Sequence, residues 1–284
     1  MKFTFIKCLF IGLSFMTTTT ALAEKVVSAK DMNIVGDGKT MNTKAIQKAI
    51  DFCSAQKGGG RLVFPKGEYL TGTLVMKSNV TLEVEKDAEI YGSTNPYDYY
   101  ALEETKGKDN SALALIVADK VQNIKMIDGN GRELALNIDS LHHIGERVDP
   151  NYTTRLNRPN ETMRPKLFFM SNSENILVQG LQLKNSACWG LSFDRCNNLT
   201  IKYIYFENRA YWNNDGIDVT DGKHVRISHC YINSADDGIC LKSYHVGEYC
   251  DDVEVSDCEI ISSASAVKFG TASWGGFKNI TVRN

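Results

Sequence analysis

The sequence predicts an all-β fold: a right-handed parallel β-helix, a solenoid closed at its N-terminal end by a capping helix. Three observations carry this. Short β-branched runs recur at a near-constant interval, each opens on a polar turn residue, and positions at equal offsets from the runs match in character. The runs are Asn175-Ile176-Leu177-Val178, Asn198-Leu199-Thr200-Ile201, His224-Val225-Arg226-Ile227, Asp252-Val253-Glu254-Val255 and Asn279-Ile280-Thr281-Val282. Their second residues lie 23, 26, 28 and 27 apart. Each run is too short for a helix, and its alternation suits a strand with one buried face. Such a unit cannot bury that face alone, whereas stacked coils share a continuous core.

The elements follow in chain order. Lys2 and Lys7, the apolar run Cys8 to Phe15 and the small-residue site Ala21-Leu22-Ala23 form an export signal over residues 1–23. This places the mature chain, residues 24–284, in the periplasm or outside the cell as a single β-helix domain. No segment reaches the roughly 20 apolar residues of a spanning helix, so no membrane span is expected. Residues of about 30–60 form the cap. Within them Asn42-Thr43 opens a helix through about Ala55, with Ala45, Ile46, Ala49, Ile50 and Phe52 as its apolar face, and Gly58-Gly59-Gly60 ends it. Earlier copies of the run, Asn79-Val80-Thr81-Leu82 and Asn123-Ile124-Lys125-Met126, lie 44 apart, which reads as two turns of a shorter repeat. Residues of about 132–168 are polar and off-period, a long excursion of the kind that often carries function. The last run ends at Val282, two residues before Asn284, and repeat arrays need terminal caps. The expectation is therefore a solenoid lacking C-terminal coils.

Composition narrows the function. The 284 residues are 43% hydrophobic and 23% charged, with a net charge of -2. Losing Lys2 and Lys7 with the leader takes this to -4, so there is no basic footprint for nucleic acid. Seven cysteines remain after Cys8 is removed, an odd number with no CxxC pair, which argues against a disulfide framework and against zinc. Five residues after the second residue of each run come Leu181, Ile204, Cys230 and Cys258, so these two thiols read as stacked core filling rather than as a bridge. The Asn residues opening the runs fit turns with unusual backbone angles, which accounts for the Asn-x-Thr triplets without glycosylation.

A second strand set carries the chemistry. Aligning the coils puts Trp189, Asp215, Asp237 and Ser265 at one position, each before Gly190, Gly216, Gly238 or Ala266. Neighbouring parallel strands lie ~4.8 Å apart, so the carboxyl groups of Asp215 and Asp237 should be close, with Asp236 beside them. Alternation sends Ile217, Val219, Ile239, Leu241, Val267 and Phe269 inward, and Ser192, Asp218, Cys240 and Lys268 outward. Carboxylates crowded this way repel, so at least one pKa should rise, the condition for one acid to stay protonated while another is ionised. The residues alone allow three readings: an acid/base site, a calcium site of carboxylates and carbonyls, or turn sequences repeated in register.

The motifs resemble glycoside hydrolase family 28, the polygalacturonase-like, pectin-degrading β-helix enzymes. Near the start these are Gly36-Asp37-Gly38, Asn42-Thr43-Lys44-Ala45-Ile46, Gly58-Gly59-Gly60 and Pro65-Lys66-Gly67-Glu68-Tyr69. More specific are Asn213-Asn214-Asp215-Gly216-Ile217-Asp218, similar to the family's Asn-Thr-Asp motif, and Asp236-Asp237, similar to its paired aspartates. The resemblance implies inverting hydrolysis of a polysaccharide or oligosaccharide, with Asp236 as general acid, Asp215 and Asp237 activating water, and neither metal nor organic cofactor. It departs from the family at two places. Ser265-Ala266 stands where a Gly-His-Gly motif is expected, and the Arg-Ile-Lys motif would fall beyond Asn284. Substrate-binding candidates are Asn213, Asp218, Lys268, Trp212, Arg158 and Arg164, the last two on the excursion with Arg155. The competing functions are a calcium-dependent polysaccharide lyase and a non-catalytic carbohydrate-binding β-helix.

Overall fold

The computed structural model describes residues 23–102, 112–129, 144–146 and 164–284. The leader and most of the excursion, including Arg155 and Arg158, lie outside the described residues. The rest forms three parallel sheets of nine, eight and seven strands, each running from coil to coil. Every strand pairs with the equivalent strand of the next coil, so the repeat seen in the sequence is the rise of the solenoid.

The first sheet shows why the pattern folds this way. Ile124, Ile176, Leu199, Val225, Val253 and Ile280 are register partners in succession. The first five are buried in one apolar core running the length of the coils, and Ile280 packs against it. The turn residue ahead of each strand has left-handed backbone: Asn79, Asn123, Asn175, Asn198, His224, Asp252 and Asn279 have φ of 50° to 62°. Asparagine tolerates this conformation because its short polar side chain bonds locally. Here it also bonds along the stack, with the amide of Asn123 donating to Asn79 at 2.8 Å, Asn175 to Asn123 at 3.0 Å and Asn198 to Asn175 at 2.7 Å.

That ladder corrects the reading of the early repeat. Thr81 and Leu82 pair directly with Lys125 and Met126, so the 44 residues from Asn79 to Asn123 make one long coil instead of two short ones. The next coil, from Asn123 to Asn175, is longer still and holds the excursion. The excursion also ends sooner than its polar composition suggests: Lys166–Ser171 is already a buried strand of the third sheet.

The cap helix spans Thr43–Ser54 and buries Ile46, Ala49, Ile50 and Cys53. Cys53 replaces Phe52 in the predicted face. Phe52 is 40% exposed, because the buried set follows the i, i+3, i+4, i+7 stripe from Ile46. Asn42 precedes the helix but makes no side-chain capping bond. Its side chain holds the incoming chain instead, accepting from the Val35 amide and donating to the Val35 and Thr40 carbonyls, all at 2.8 Å. The helix lies so close to the first sheet that a β-carbon on Gly60 would meet the Cys53 Cα at 2.6 Å, which is why a glycine follows it there.

All seven cysteines described are free thiols. Cys230 and Cys258 stack on successive coils as core filling, their Sγ atoms facing the carbonyls of Ser228 and Ser256 at 3.1 and 3.2 Å. Among the described residues no helix is long and apolar enough to cross a membrane.

Candidate active site

The third sheet builds the site. Ile217, Ile239 and Val267 are register partners, as are Asp218, Cys240 and Lys268, and Val219, Leu241 and Phe269. Ile217, Val219, Ile239 and Leu241 are buried in the core as predicted. Val267 is only partly buried and Phe269 is 52% exposed, because they lie on the terminal strand of the sheet and pack on one side only.

Backbone bonds fix the predicted stack of Trp189, Asp215, Asp237 and Ser265. The amide of Gly190 donates to the Asp215 carbonyl, Gly216 to Asp237 and Gly238 to Ser265, each at 2.8 Å. The glycines are required by close approach: a β-carbon on Gly216 would sit 2.4 Å from the Gly238 carbonyl oxygen, and one on Gly238 2.6 Å from that of Ala266. The coil geometry thus demands the glycine of each Asp-Gly pair, whereas no backbone need explains the aspartate before it.

Buried asparagines hold this corner. Asn208 donates to the Asp215 carbonyl at 2.8 Å, and its side-chain oxygen accepts from the Ser186 amide at 2.8 Å. Asn214, fully buried, donates to the Cys188 carbonyl at 3.0 Å and accepts from the Tyr211 amide at 2.7 Å. On the next coil, Ser234 and Ser262 donate to the Asp236 carbonyl at 2.9 and 2.6 Å, fixing the paired aspartates.

The result is a cleft of about 330 Å³ whose lining includes Asn213, Asp215, Asp236, Asp237 and Lys268, together with Trp189, Lys242 and Tyr244. Asp215 and Asp237 are 4% and 3% exposed. A carboxylate oxygen of each and the Cys240 sulfur all lie within 4.8 Å of one another. Lys268 donates to Asp237 Oδ2 at 2.8 Å, and Lys242 stands 3.5 Å from Asp215 Oδ2. The Oδ1 atoms of both aspartates are buried and have no hydrogen-bond partner among the described residues.

Electrostatics follow from this burial. Desolvation holds the Asp215 carboxyl well above the ordinary carboxylate range, Asp218 and Asp236 push it further, and Lys242 opposes them. Asp236, half-buried, is raised by burial and then by Asp237. Burial pushes the Cys240 thiol up to about 12, so it is a neutral filler beneath the acids. The hydrogen bond to Asp237 raises the Lys268 ammonium.

Other candidates fall differently. Asp218 is on the outer side of the sheet but 0% exposed, roofed over and bonded to the Lys242 ammonium, so it supports the cleft from below. Arg164 is 1% exposed and donates through Nη1 to the carbonyls of Ala187 at 2.9 Å and Trp212 at 2.7 Å. It clamps backbone, and the expectation that it contacts substrate gives way to this role. Trp212 is about half exposed and is not among the residues lining the cleft; its carbonyl serves the Arg164 clamp. Lys242 was not among the residues singled out from the sequence. The alternation placing Cys240 outward also places Lys242 outward, and that signal would have found it.

Fold and site together define a parallel β-helix whose outer face carries a buried carboxylate cleft. The model of glycosyl hydrolases family 28 matches residues 53–248, and the chain belongs to that family. It is 25% identical over 264 residues to the exo-poly-alpha-D-galacturonosidase of Dickeya chrysanthemi, covering 79% of this chain and 43% of that protein. It is 29% identical over 229 residues to a Vitis vinifera protein named "Probable polygalacturonase", covering 76% and 44%. The chain thus spans under half the length of these relatives. The exopolygalacturonase of Thermotoga maritima superposes with a TM-score of 0.76 at 22% identity, over 93% of this chain and 66% of that structure, and shares its right-handed β-helix fold.

Proposed function

We propose that the cleft hydrolyses glycosidic bonds of a pectin-type, galacturonate-containing polysaccharide by single displacement with inversion. The observation that carries this is the pair of buried acceptors, Asp215 Oδ1 and Asp237 Oδ1, on adjacent coils. Each belongs to a carboxylate whose other oxygen faces a lysine, so on each acid Oδ1 is the acceptor that the described residues leave uncommitted. Asp236 sits beside them with its pKa raised, as suits a group that must carry a proton to the leaving oxygen. In the step, Asp236 gives its proton to the glycosidic oxygen as the bond from that oxygen to the anomeric carbon breaks. Water attacks the anomeric carbon from the opposite face and passes its proton to the Asp215–Asp237 pair. The sugar is released with inverted configuration.

The acidic substrate is supported by the relatives' names, and the two cationic side chains in the cleft are Lys242 and Lys268. The same two ammonium groups already compensate the acidic cluster, which favours hydrolysis over a calcium-assisted lyase. The chain's positive start and apolar leader support export, with work done outside the cytoplasm.

The test uses the parent and Asp236→Asn on polygalacturonate. The parent is expected to release reducing ends of inverted configuration, read by proton NMR, with no unsaturated product absorbing in the ultraviolet. Asp236→Asn should bind oligogalacturonate and lose at least about 10³-fold in kcat. An unsaturated product would establish a lyase. Binding by a parent that cuts nothing would establish a binding module.

A further inference from the structure

Lys242 lies on strand Ile239–Ser243 and is in register with Thr220. Its side chain is 8% exposed. The ammonium meets Asp218 Oδ1 directly, stands 3.5 Å from Asp215 Oδ2 and lies 3.3 Å from the centroid of the Trp189 ring. A buried ammonium costs several kcal/mol in lost solvation unless counter-charges surround it, so the fold retains it only because two carboxylates and an indole face enclose it.

Asp215 needs such a neighbour. Asp218 faces it from the strand that follows on the same coil. From the next coil come Asp236, Asp237, Cys240 and Lys242, from the coil beyond comes Lys268, and from the preceding coil Cys188. Lys268 is committed to Asp237 at 2.8 Å, and Asp218 adds a second negative charge beneath. Among the described residues, Lys242 is the cation that pairs with Asp215 itself, at 3.5 Å.

We propose that Lys242 is the positioning residue of the cleft: its ammonium, 3.5 Å from Asp215 Oδ2, orients that carboxyl and favours release of its proton against the burial that retains it, and it braces Trp189, the cleft wall two coils away. This rests on the hydrolytic reading of the cleft, because it assigns Asp215 a task only ionisation allows. The sign is fixed. Without the cation, Asp215 takes up a proton more readily, and activity needing its anion is lost from the acidic side first.

The experiment measures kcat and KM for oligogalacturonate across pH for the parent, Lys242→Met, Lys242→Gln and Lys242→Arg, with thermal unfolding in parallel. Lys242→Met should lose on the order of a hundredfold in kcat near neutrality, and its acidic limb should move up by about one pH unit or more, with KM little changed. Lys242→Gln, neutral but able to donate hydrogen bonds, should show the same shift and serves if the Met variant does not fold. Lys242→Arg should keep the parent limb. Folded neutral variants with an unmoved acidic limb overturn the proposal, as does an arginine variant that behaves like the glutamine one. A parent that hydrolyses nothing overturns the functional reading instead. The hold on Asp215 is then read from unfolding: Lys242→Gln should lose stability more steeply than the parent as pH rises, and equal slopes sink the proposal.

Discussion

The first and third sheets are built from the same coils in the same register, yet they treat their outer faces in opposite ways. In the first sheet, Ile, Leu and Val point in and the alternate positions, Thr200, Arg226 and Glu254, point to solvent or to one another across the surface, as in the pairing of Arg226 with Asp252 at 2.8 Å. In the third sheet outer positions are themselves buried: Ser192, Asp218, Cys240 and Lys242 are all shut off from solvent. One face of the solenoid buries only apolar groups inward and leaves charge in water. The other buries charge on both carboxylates and lysines, with acceptor oxygens left unpaired. Burial on the first sheet favours folding, whereas burial on the third opposes it and prepares acid–base chemistry, so mutations on the two faces should separate stability from activity.

The largest effect should come from the first sheet. Leu199 is fully buried between Ile176 and Val225. Leu199→Ala should cost about 3 kcal/mol by lost transfer energy and the cavity left in a core that cannot collapse along a rigid stack. Denaturant unfolding reads this, while kcat of the folded fraction should match the parent. A large fall in kcat would mean that the coils do not insulate the cleft from the core.

Asp215→Asn should act with the opposite sign. The Asp215 carboxyl is raised in the fold, so the folded state holds its proton more tightly than the unfolded chain does. Its contribution is favourable below the ordinary carboxylate pKa and is lost as pH climbs above that range. The amide removes this penalty, and Lys242 keeps Asp218 as its partner. The variant should therefore gain about 1–2 kcal/mol at neutral pH, gain little at acidic pH, and lose hydrolysis. Melting curves from acidic to neutral pH check this. A variant less stable than the parent at neutral pH would mean that the ion pair with Lys242 outweighs desolvation of the acid.

The two regions also differ in how far their sequences disclosed them. Alternation and spacing announced the first sheet, because one buried apolar face leaves a period of two and each corner needs a residue tolerant of positive φ. Asp215 and Asp237 were legible for the same reason: parallel register turns equal offsets along the chain into spatial neighbours. What failed was reading side chains by character alone. Arg164 looked like a surface cation from its polar neighbourhood, yet the chain re-enters the sheet at once and buries it on carbonyls. Phe52 looked like helix core by hydrophobicity, yet the angular stripe favours Cys53. The 44-residue interval looked like two coils because a coil's outer loops vary in length without disturbing the strands. Asp218 reads as a substrate contact, and Lys242 carries no functional signal, because outward on a strand implies exposure, which the third sheet does not obey: both are buried.

The smallest effect tests the corner ladder of the first sheet, the feature with no counterpart among the carboxylates. Asn198 has φ of 54° and donates to Asn175 at 2.7 Å from an exposed position. Asn198→Ala loses both the local polar compensation for left-handed backbone, roughly 1 kcal/mol, and an exposed hydrogen bond of at most about the same size. Asn198→Gly keeps the backbone freedom and loses only the bond. The alanine variant should be destabilised by about 1–2 kcal/mol and the glycine variant by less than about 1 kcal/mol, both with unchanged activity. Equal losses would put the corner's stability in the amide ladder. A neutral glycine variant would put it in the backbone, and would explain how His224 and Asp252 replace asparagine at the same corner, since each adopts φ of 54° and they bond to one another at 2.8 Å.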